Sequence, residues 1–149
     1  MIRKATPEDI PQIIDMIINF LDEGKEFKGH GFDLAVAVNI TRVRISSPGN
    51  ILFVCEKEGI LVGMISGYLT PYLLSRKLVV VEDMWYMEPD YRRGWDGMRL
   101  VKSFLDWSEE NNAKAVSMSV TIGTDNEKAI KVLHRLGFKD IGICLLREF

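Results

Sequence analysis

The run Leu78–Met87, Leu-Val-Val-Val-Glu-Asp-Met-Trp-Tyr-Met, constrains this chain more than any other stretch. Ten residues rich in β-branched and aromatic side chains predict a long strand. A turn, Tyr91–Gly97, follows, and then apolar residues at helical spacing: Met98, Val101, Phe104, Leu105 and Trp107. Ala115–Val120 again reads as a strand. Strand, helix and strand in that order predict a right-handed crossover between parallel neighbours.

The segments on either side extend this unit. Met1–Ala5 reads as a short first strand. Thr6-Pro7-Glu8-Asp9 then supplies a cap residue, a proline at the first helical position and acids at the positive helix end. Ile10, Ile13, Ile14, Ile17 and Leu21 give that helix an apolar face. Gly24–Gly31 is polar and glycine-punctuated, hence a loop, and Asp33 caps a second helix through Ile40, Val43 and Ile45. Ile51–Glu56 and Ile60–Leu69 form a hairpin across Lys57-Glu58-Gly59. After the crossover, Asp125 or Asn126 opens a fourth helix with Ala129, Ile130, Leu133 and Leu136 inward, Gly137 closes it, and Ile141–Leu146 is a last strand. The order β-α-α-β-β-β-α-β-α-β predicts an α/β fold with a mixed sheet, antiparallel in its first part.

A length of 149 residues without repeats or linker suits one domain over 1–149 with a real core. Hydrophobic residues at 47% and charged residues at 27% exclude a disordered chain. The net charge of −2 provides no global basic field for nucleic acid. Cys55 and Cys144 lie in apolar runs without metal-ligand spacing, so both read as core residues of a protein in a reducing compartment, with no metal site. No run approaches a membrane span of about 20 apolar residues, and the N-terminus carries helix-start chemistry instead of a signal peptide. These features predict a soluble, cytoplasmic protein with no membrane partner.

The turn Glu88-Pro89-Asp90-Tyr91-Arg92-Arg93-Gly94-Trp95-Asp96-Gly97-Met98 joins a buried strand to the first turn of a helix. Unpaired N–H groups at a helix start attract anions, glycines admit a phosphate to the main chain, and arginines add forked donors. A plain connection with solvated arginines has the same spacing. Two adjacent acids, Glu82 and Asp83, interrupt the apolar strand; alternation sends them to opposite faces, and either one is paired, solvated or protonated.

Pro89-x-Tyr91-Arg92 with the following glycines resembles the coenzyme A pyrophosphate loop of the GNAT acetyltransferases. In that family an Arg or Gln is followed at the third and fifth positions by Gly and then Gly or Ala. Arg92 and Gly97 fill the first and fifth; the third is Trp95, with Gly94 one residue early. Asn126-x-x-Ala129 and His134-Arg135-Leu136-Gly137-Phe138 resemble the family's closing helix and Gly-Phe turn. Ser66-Gly67, Trp85-Tyr86 and the short length are similar to small phage-encoded members.

The resemblance implies a mostly antiparallel sheet with a central parallel β-α-β crossover and helices on both faces. It implies acetyl-coenzyme A as co-substrate, lying between the strands Leu78–Met87 and Ala115–Val120. Backbone at Tyr86 and Met87 would hold the pantetheine, with Asn126 beside it. Arg92 and the amides of Arg93, Gly94, Trp95, Asp96, Gly97 and Met98 would hold the pyrophosphate. Asp96 then has to point away, since like charges 4 Å apart repel by about 4 kcal/mol at an effective dielectric of 20. The acceptor is an amine on a small molecule, a protein lysine or an N-terminus, and attacks the thioester directly in a ternary complex. Glu82 or Asp83 would take its proton. Glu82 is favoured narrowly, as the longer side chain, on a face expected to carry Met84 and Tyr86 too.

The family's usual general-acid tyrosine falls at Leu133; His134 and Tyr86 are outside candidates for that task. Tyr68, Tyr72 and the Gly24–Phe32 loop could line an acceptor pocket. Trp85, Trp107 and the methionines read as core. Trp95, Asp96 and Leu133 also fit a second reading, a weakly active or inactive GNAT-fold protein that acts by binding a partner protein. A nucleic-acid reading rests only on Arg42, Arg44, Arg76, Arg92 and Arg93 and is set aside, and a homodimer is compatible with the sequence.

Overall fold

The computed structural model describes residues 1–24, 31–120, 126–142, 145 and 147. Five strands lie in the order β1 (Ile2–Lys4), β2 (Asn50–Lys57), β3 (Ile60–Pro71), β4 (Leu78–Met87) and β5 (Val116–Ser117). Neighbours are antiparallel except β4 and β5, which are parallel and joined through helix α3 (Asp96–Glu110). Helices α1 (Ile10–Glu23) and α2 (Leu34–Ser46) intervene between β1 and β2, and α4 (Asn126–Arg135) follows β5.

Period-2 alternation covers both faces of the sheet. Ile51, Phe53, Ile65 and Val80 join Leu100, Val101, Phe104 and Trp107 of α3 in one core. Leu52, Val54, Met64 and Tyr86 join Ile13 and Met16 of α1 in the other. Residues 51–55 of β2 are therefore all buried, as expected of a strand with helices on each side. Cys55 lies in the α3-side core, where burial raises its thiol pKa. The N-terminal helix start is pinned from β1. Arg3 donates to both oxygens of Asp9 at 2.7 and 2.9 Å, and Asp9 accepts from the Thr6 N–H at 2.8 Å.

Three differences from the sequence reading matter. The first is a bulge. Ser66 pairs with Met84 and Gly67 with Glu82, which leaves Asp83 as an extra residue in β4. A bulge turns the following side chains to the other face. Met84 and Tyr86 thus pack on the α1 side, whereas Trp85 and Met87 pack on the α3 side. Glu82 sits opposite Gly67, whose missing Cβ would meet Phe104 of α3 at 2.7 Å, so Glu82 belongs to the α3 face. The expected grouping of Glu82 with Met84 and Tyr86 is corrected accordingly.

The second difference is the length of β5, only Val116–Ser117 instead of Ala115–Val120. The third concerns the last strand. Ile141, Gly142 and Leu145 are not in a strand, and Ile141 and Leu145 are exposed; the rest of that expectation, with Cys144, lies outside the described residues. Asp125 and most of the Gly24–Phe32 loop, His30 included, lie outside them too. Gly137 ends α4 with φ +90°, the left-handed cap expected of it. Among the described residues no helix is long and apolar enough to cross a membrane.

Candidate active site

Strands β4 and β5 pair only at Val80–Val116 and Val81–Ser117. Past that point the parallel ladder ends, and a cavity of about 450 Å³ opens between the outgoing half of β4, residues 119–120, the turn after β4, and α4. From Glu82 to Met87 the outer edge of β4 has no strand partner among the described residues. Apart from the Met87 carbonyl, which accepts from Arg92, its backbone groups there have no ladder partner among the described residues, the situation in which an extended ligand adds as a strand.

Glu82 stands where the ladder gives out. Only 8% of the residue is exposed, and one carboxylate oxygen accepts from the Ser119 N–H at 3.2 Å. Burial, opposed by that hydrogen bond and assisted by the charge of Asp83, pushes its pKa up to about 7. Asp83 also lines the cavity but is held differently. Arg44 of α2 reaches it at 2.6 Å, and the Ser66 hydroxyl donates to its other oxygen at 2.5 Å. Arg44 in turn lies 4.5 Å over the Tyr68 ring. Both acids border one cavity although they point to opposite faces, because the opening lies at the gap between strands and meets both sides. Tyr68 and Tyr72 do not line this cavity; Tyr68 supports Arg44, and Tyr72 is exposed.

The turn after β4 is tied to α1. Arg92 donates from Nε to the Met87 carbonyl at 2.8 Å and from Nη2 to both oxygens of Glu23 at 2.7 Å. The Tyr86 hydroxyl lies 3.0 Å from Glu23 and 3.2 Å from Glu88. Burial and these acids hold the Tyr86 phenol well above its ordinary pKa. The fork of Arg92 is engaged within the protein, and Arg93 is the turn's other guanidinium at the cavity. His134 meets Asp140 at 2.8 Å and does not line the cavity, while Leu133 is buried in the core.

Of the residues expected to act as base or to hold the co-substrate, all but Asp96 line this cavity: Glu82, Asp83, Tyr86, Met87, Arg92, Arg93, Gly94, Trp95, Gly97, Met98 and Asn126. Asp96 turns the other way, to Lys57 of β2 at 2.7 Å and Arg99 at 3.6 Å. The Lys57 contact holds its carboxyl below the usual range. Neither Gly94 nor Gly97 has left-handed backbone, and a methyl at either would meet only ordinary contacts, the nearest 3.5 Å away. The fold itself does not require glycine there. Open space on the cavity side is what the two glycines preserve, as a ligand drawn close to the main chain demands.

Several lining residues escaped the sequence reading. Trp85, expected in the core, borders the cavity, and its buried indole N–H has no partner among the described residues. Glu23 gave no signal, being 69 residues from Arg92. Lys128, Val132 and Arg135 are spaced i, i+4, i+7 from one helix face and could have been found by that period. The carboxylates thus come from β4 and the end of α1, and the cations from the turn and α4.

Residues 17–138 match the model of the acetyltransferase (GNAT) family. The chain belongs to that family. As a GNAT member it is an acetyl-coenzyme A-dependent N-acetyltransferase, and GNAT acetyltransferases take the acetyl group from acetyl-coenzyme A. It is 22% identical over 139 residues to the uncharacterized N-acetyltransferase YhfO of Bacillus subtilis (strain 168), covering 93% of this chain and 89% of that one. The GNAT fold is shared with a transcriptional regulator from Bacillus halodurans C-125, with a TM-score of 0.80, 20% identity, and coverage of 100% and 99%. It is shared too with AAC(6')-Iy, solved with the bisubstrate analog CoA-S-monomethyl-acetylneamine, with a TM-score of 0.78, 14% identity, and coverage of 100% and 97%.

Proposed function

We propose that this GNAT enzyme passes the acetyl group to a primary amine by direct attack within a ternary complex, with Glu82 as general base. The observation that carries the reading is a buried carboxylate, its pKa raised to about 7, at the point where the parallel ladder opens. A primary amine arrives mostly as an ammonium. Glu82 accepts its proton, the nitrogen bonds to the thioester carbonyl carbon, the carbon–sulfur bond breaks, and the nitrogen sheds its second proton to solvent as the amide forms. The thiolate takes its proton from solvent, because Leu133 offers none and Tyr86 is held by Glu23 and Glu88.

Asp83 is a positioning group in this account. Its charge is committed to Arg44 and Ser66, and it raises the proton affinity of Glu82. The unpaired edge of β4 near Tyr86 and Met87 receives the pantetheine arm, and one of its N–H groups faces the carbonyl oxygen as that oxygen gathers charge. The Trp85 indole N–H is a second donor at this wall. The pyrophosphate sits against the amides from Arg93 to Met98, with Arg93 as its guanidinium, and Asn126 flanks the arm. AAC(6')-Iy, the neighbour solved with an acetylneamine analogue, lends weight to an amine acceptor.

A thiol-release assay across an amine panel tests the assignment. Glu82→Gln should lower kcat by about 10²- to 10⁴-fold, the usual worth of a general base. Activity equal to wild type in Glu82→Gln would remove it.

A further inference from the structure

The carboxylates that line the main cavity among the described residues are Glu23, Glu82 and Asp83. Glu23 gives both oxygens to the Arg92 guanidinium at 2.7 Å and accepts from the Tyr86 hydroxyl at 3.0 Å. Asp83 gives one oxygen to Arg44 at 2.6 Å and the other to the Ser66 hydroxyl at 2.5 Å. Glu82, the proposed base, meets the Ser119 amide. We infer that the acceptor is a monoamine with an apolar body, not a polyamine or an aminoglycoside, and that Phe20 of α1 is the residue that selects for that body. The inference deepens the proposed reaction and rests on its placement of Glu82 and the pantetheine arm.

Charge and packing point the same way. A second ammonium on the acceptor would lose water on entering and needs a carboxylate of its own. Glu23 and Asp83 are each neutralised by a guanidinium of the protein, so neither has charge to spare for it. Arg93 of the turn and Arg135 of α4, also at the cavity, repel it. With the arm laid on the edge of β4, the space left to the acceptor is bounded by α1, and α1 offers an apolar surface there. Phe20 borders the cavity, and its ring meets that of Tyr86 edge to face, with centroids 5.8 Å apart and planes at 72°. The Arg92 guanidinium lies 5.4 Å over the Tyr86 ring, so that ring's attraction for a cation is already in use. The pair forms a fixed aromatic corner that gains by covering methylene groups.

Hexylamine and 1,6-diaminohexane share one carbon chain and differ by an ammonium, so a thiol-release assay with saturating acetyl-coenzyme A compares them directly. In wild type kcat/KM for hexylamine should exceed that for the diamine by about tenfold, since a desolvated group left without a partner weakens a complex by at least that much. Phe20→Ala should raise the KM for hexylamine by about tenfold with kcat little changed, and Phe20→Leu should keep most of the affinity. Arg92→Met leaves the Glu23 carboxylate without its guanidinium and should move the ratio of the two kcat/KM values toward the diamine by about fivefold, a change that a merely structural role of Arg92 would not produce. A wild-type preference for the diamine, or an unchanged KM in Phe20→Ala, would overturn the inference, while loss of activity in Glu82→Gln would still uphold the base. Turnover of neither amine would instead overturn the reading of a primary amine acceptor, and the inference with it.

Discussion

Glu82 and Asp83 are adjacent, both acidic and both at the cavity, yet their surroundings give them different chemistry. Asp83 meets a guanidinium and a hydroxyl; Glu82 is buried and meets one amide. The free-enzyme kcat/KM should therefore rise with pH through about 7 as Glu82 ionises, and Glu82→Gln should lose that limb. Asp83→Asn should keep the limb and move it to lower pH, because the charge that raises the Glu82 pKa is gone and Arg44 is left unneutralised. If Asp83 were the base, the two variants would exchange behaviours in the same pH–rate measurement. Stability carries a matching sign. Between pH 4.5 and about 7 the folded protein keeps a proton on Glu82 that the unfolded chain has lost, so stability falls as pH rises across that window. A shift from 4.5 to about 7 corresponds to up to about 3 kcal/mol. Denaturant titrations should show Glu82→Gln gaining on wild type by this order at pH 8 and by almost nothing at pH 4.5.

The β4-turn-α3 element shows how a residue with the wrong charge is accommodated in an anion site. Asp96 opens α3 beside the amides proposed for the pyrophosphate, and Lys57 from the β2–β3 hairpin draws its carboxylate off. Lys57→Met should weaken coenzyme A binding by about fivefold, the scale of an exposed pair, and Lys57→Met with Asp96→Asn should restore it. Calorimetry that found no effect in the single variant would show that Asp96 faces away without help. Gly67 illustrates a different constraint. A Cβ there would strike the Val81 carbonyl and the Phe104 ring, neither of which is a flexible side-chain end. Gly67→Ala should cost about 1–3 kcal/mol through overpacking, read as a fall in Tm. The ends of β4, the β2–β3 hairpin and the Asp33 cap, whose side chain accepts from the Val36 N–H at 3.0 Å, were legible because local spacing and capping chemistry set them. The bulge at Asp83 was not. Register depends on the partner strand, and a period-2 count along one strand carries no trace of the extra residue. The Arg92–Glu23 and Arg44–Asp83 pairs were hidden for the same reason, since they join residues far apart in the chain.

At the scale of the whole molecule, the sheet is firm on one side of the cavity and weakly joined on the other. β4 is paired to β3 from Leu78 to Met87, whereas β5 is held by two residue pairs and Leu133 is the one buried residue of α4. An arm laid along the free edge of β4 would supply the contacts that β5 does not make and bridge β4 to α4. Binding of this kind stabilises the protein by linkage, by about 2.7 kcal/mol at a ligand concentration 100 times Kd. For a domain of this size that is a rise in Tm of roughly 5–10 °C. The rise should also be distributed unevenly. Native-state hydrogen exchange with coenzyme A should show added protection concentrated in α4 and Val116–Ser117, with β2 and β3 little changed, because segments of low local stability gain most when a ligand closes them. Glu82→Gln should show the same pattern, since it removes a proton acceptor and not the edge that receives the arm. Uniform protection across the sheet would mean that the ligand does not bridge β4 to α4.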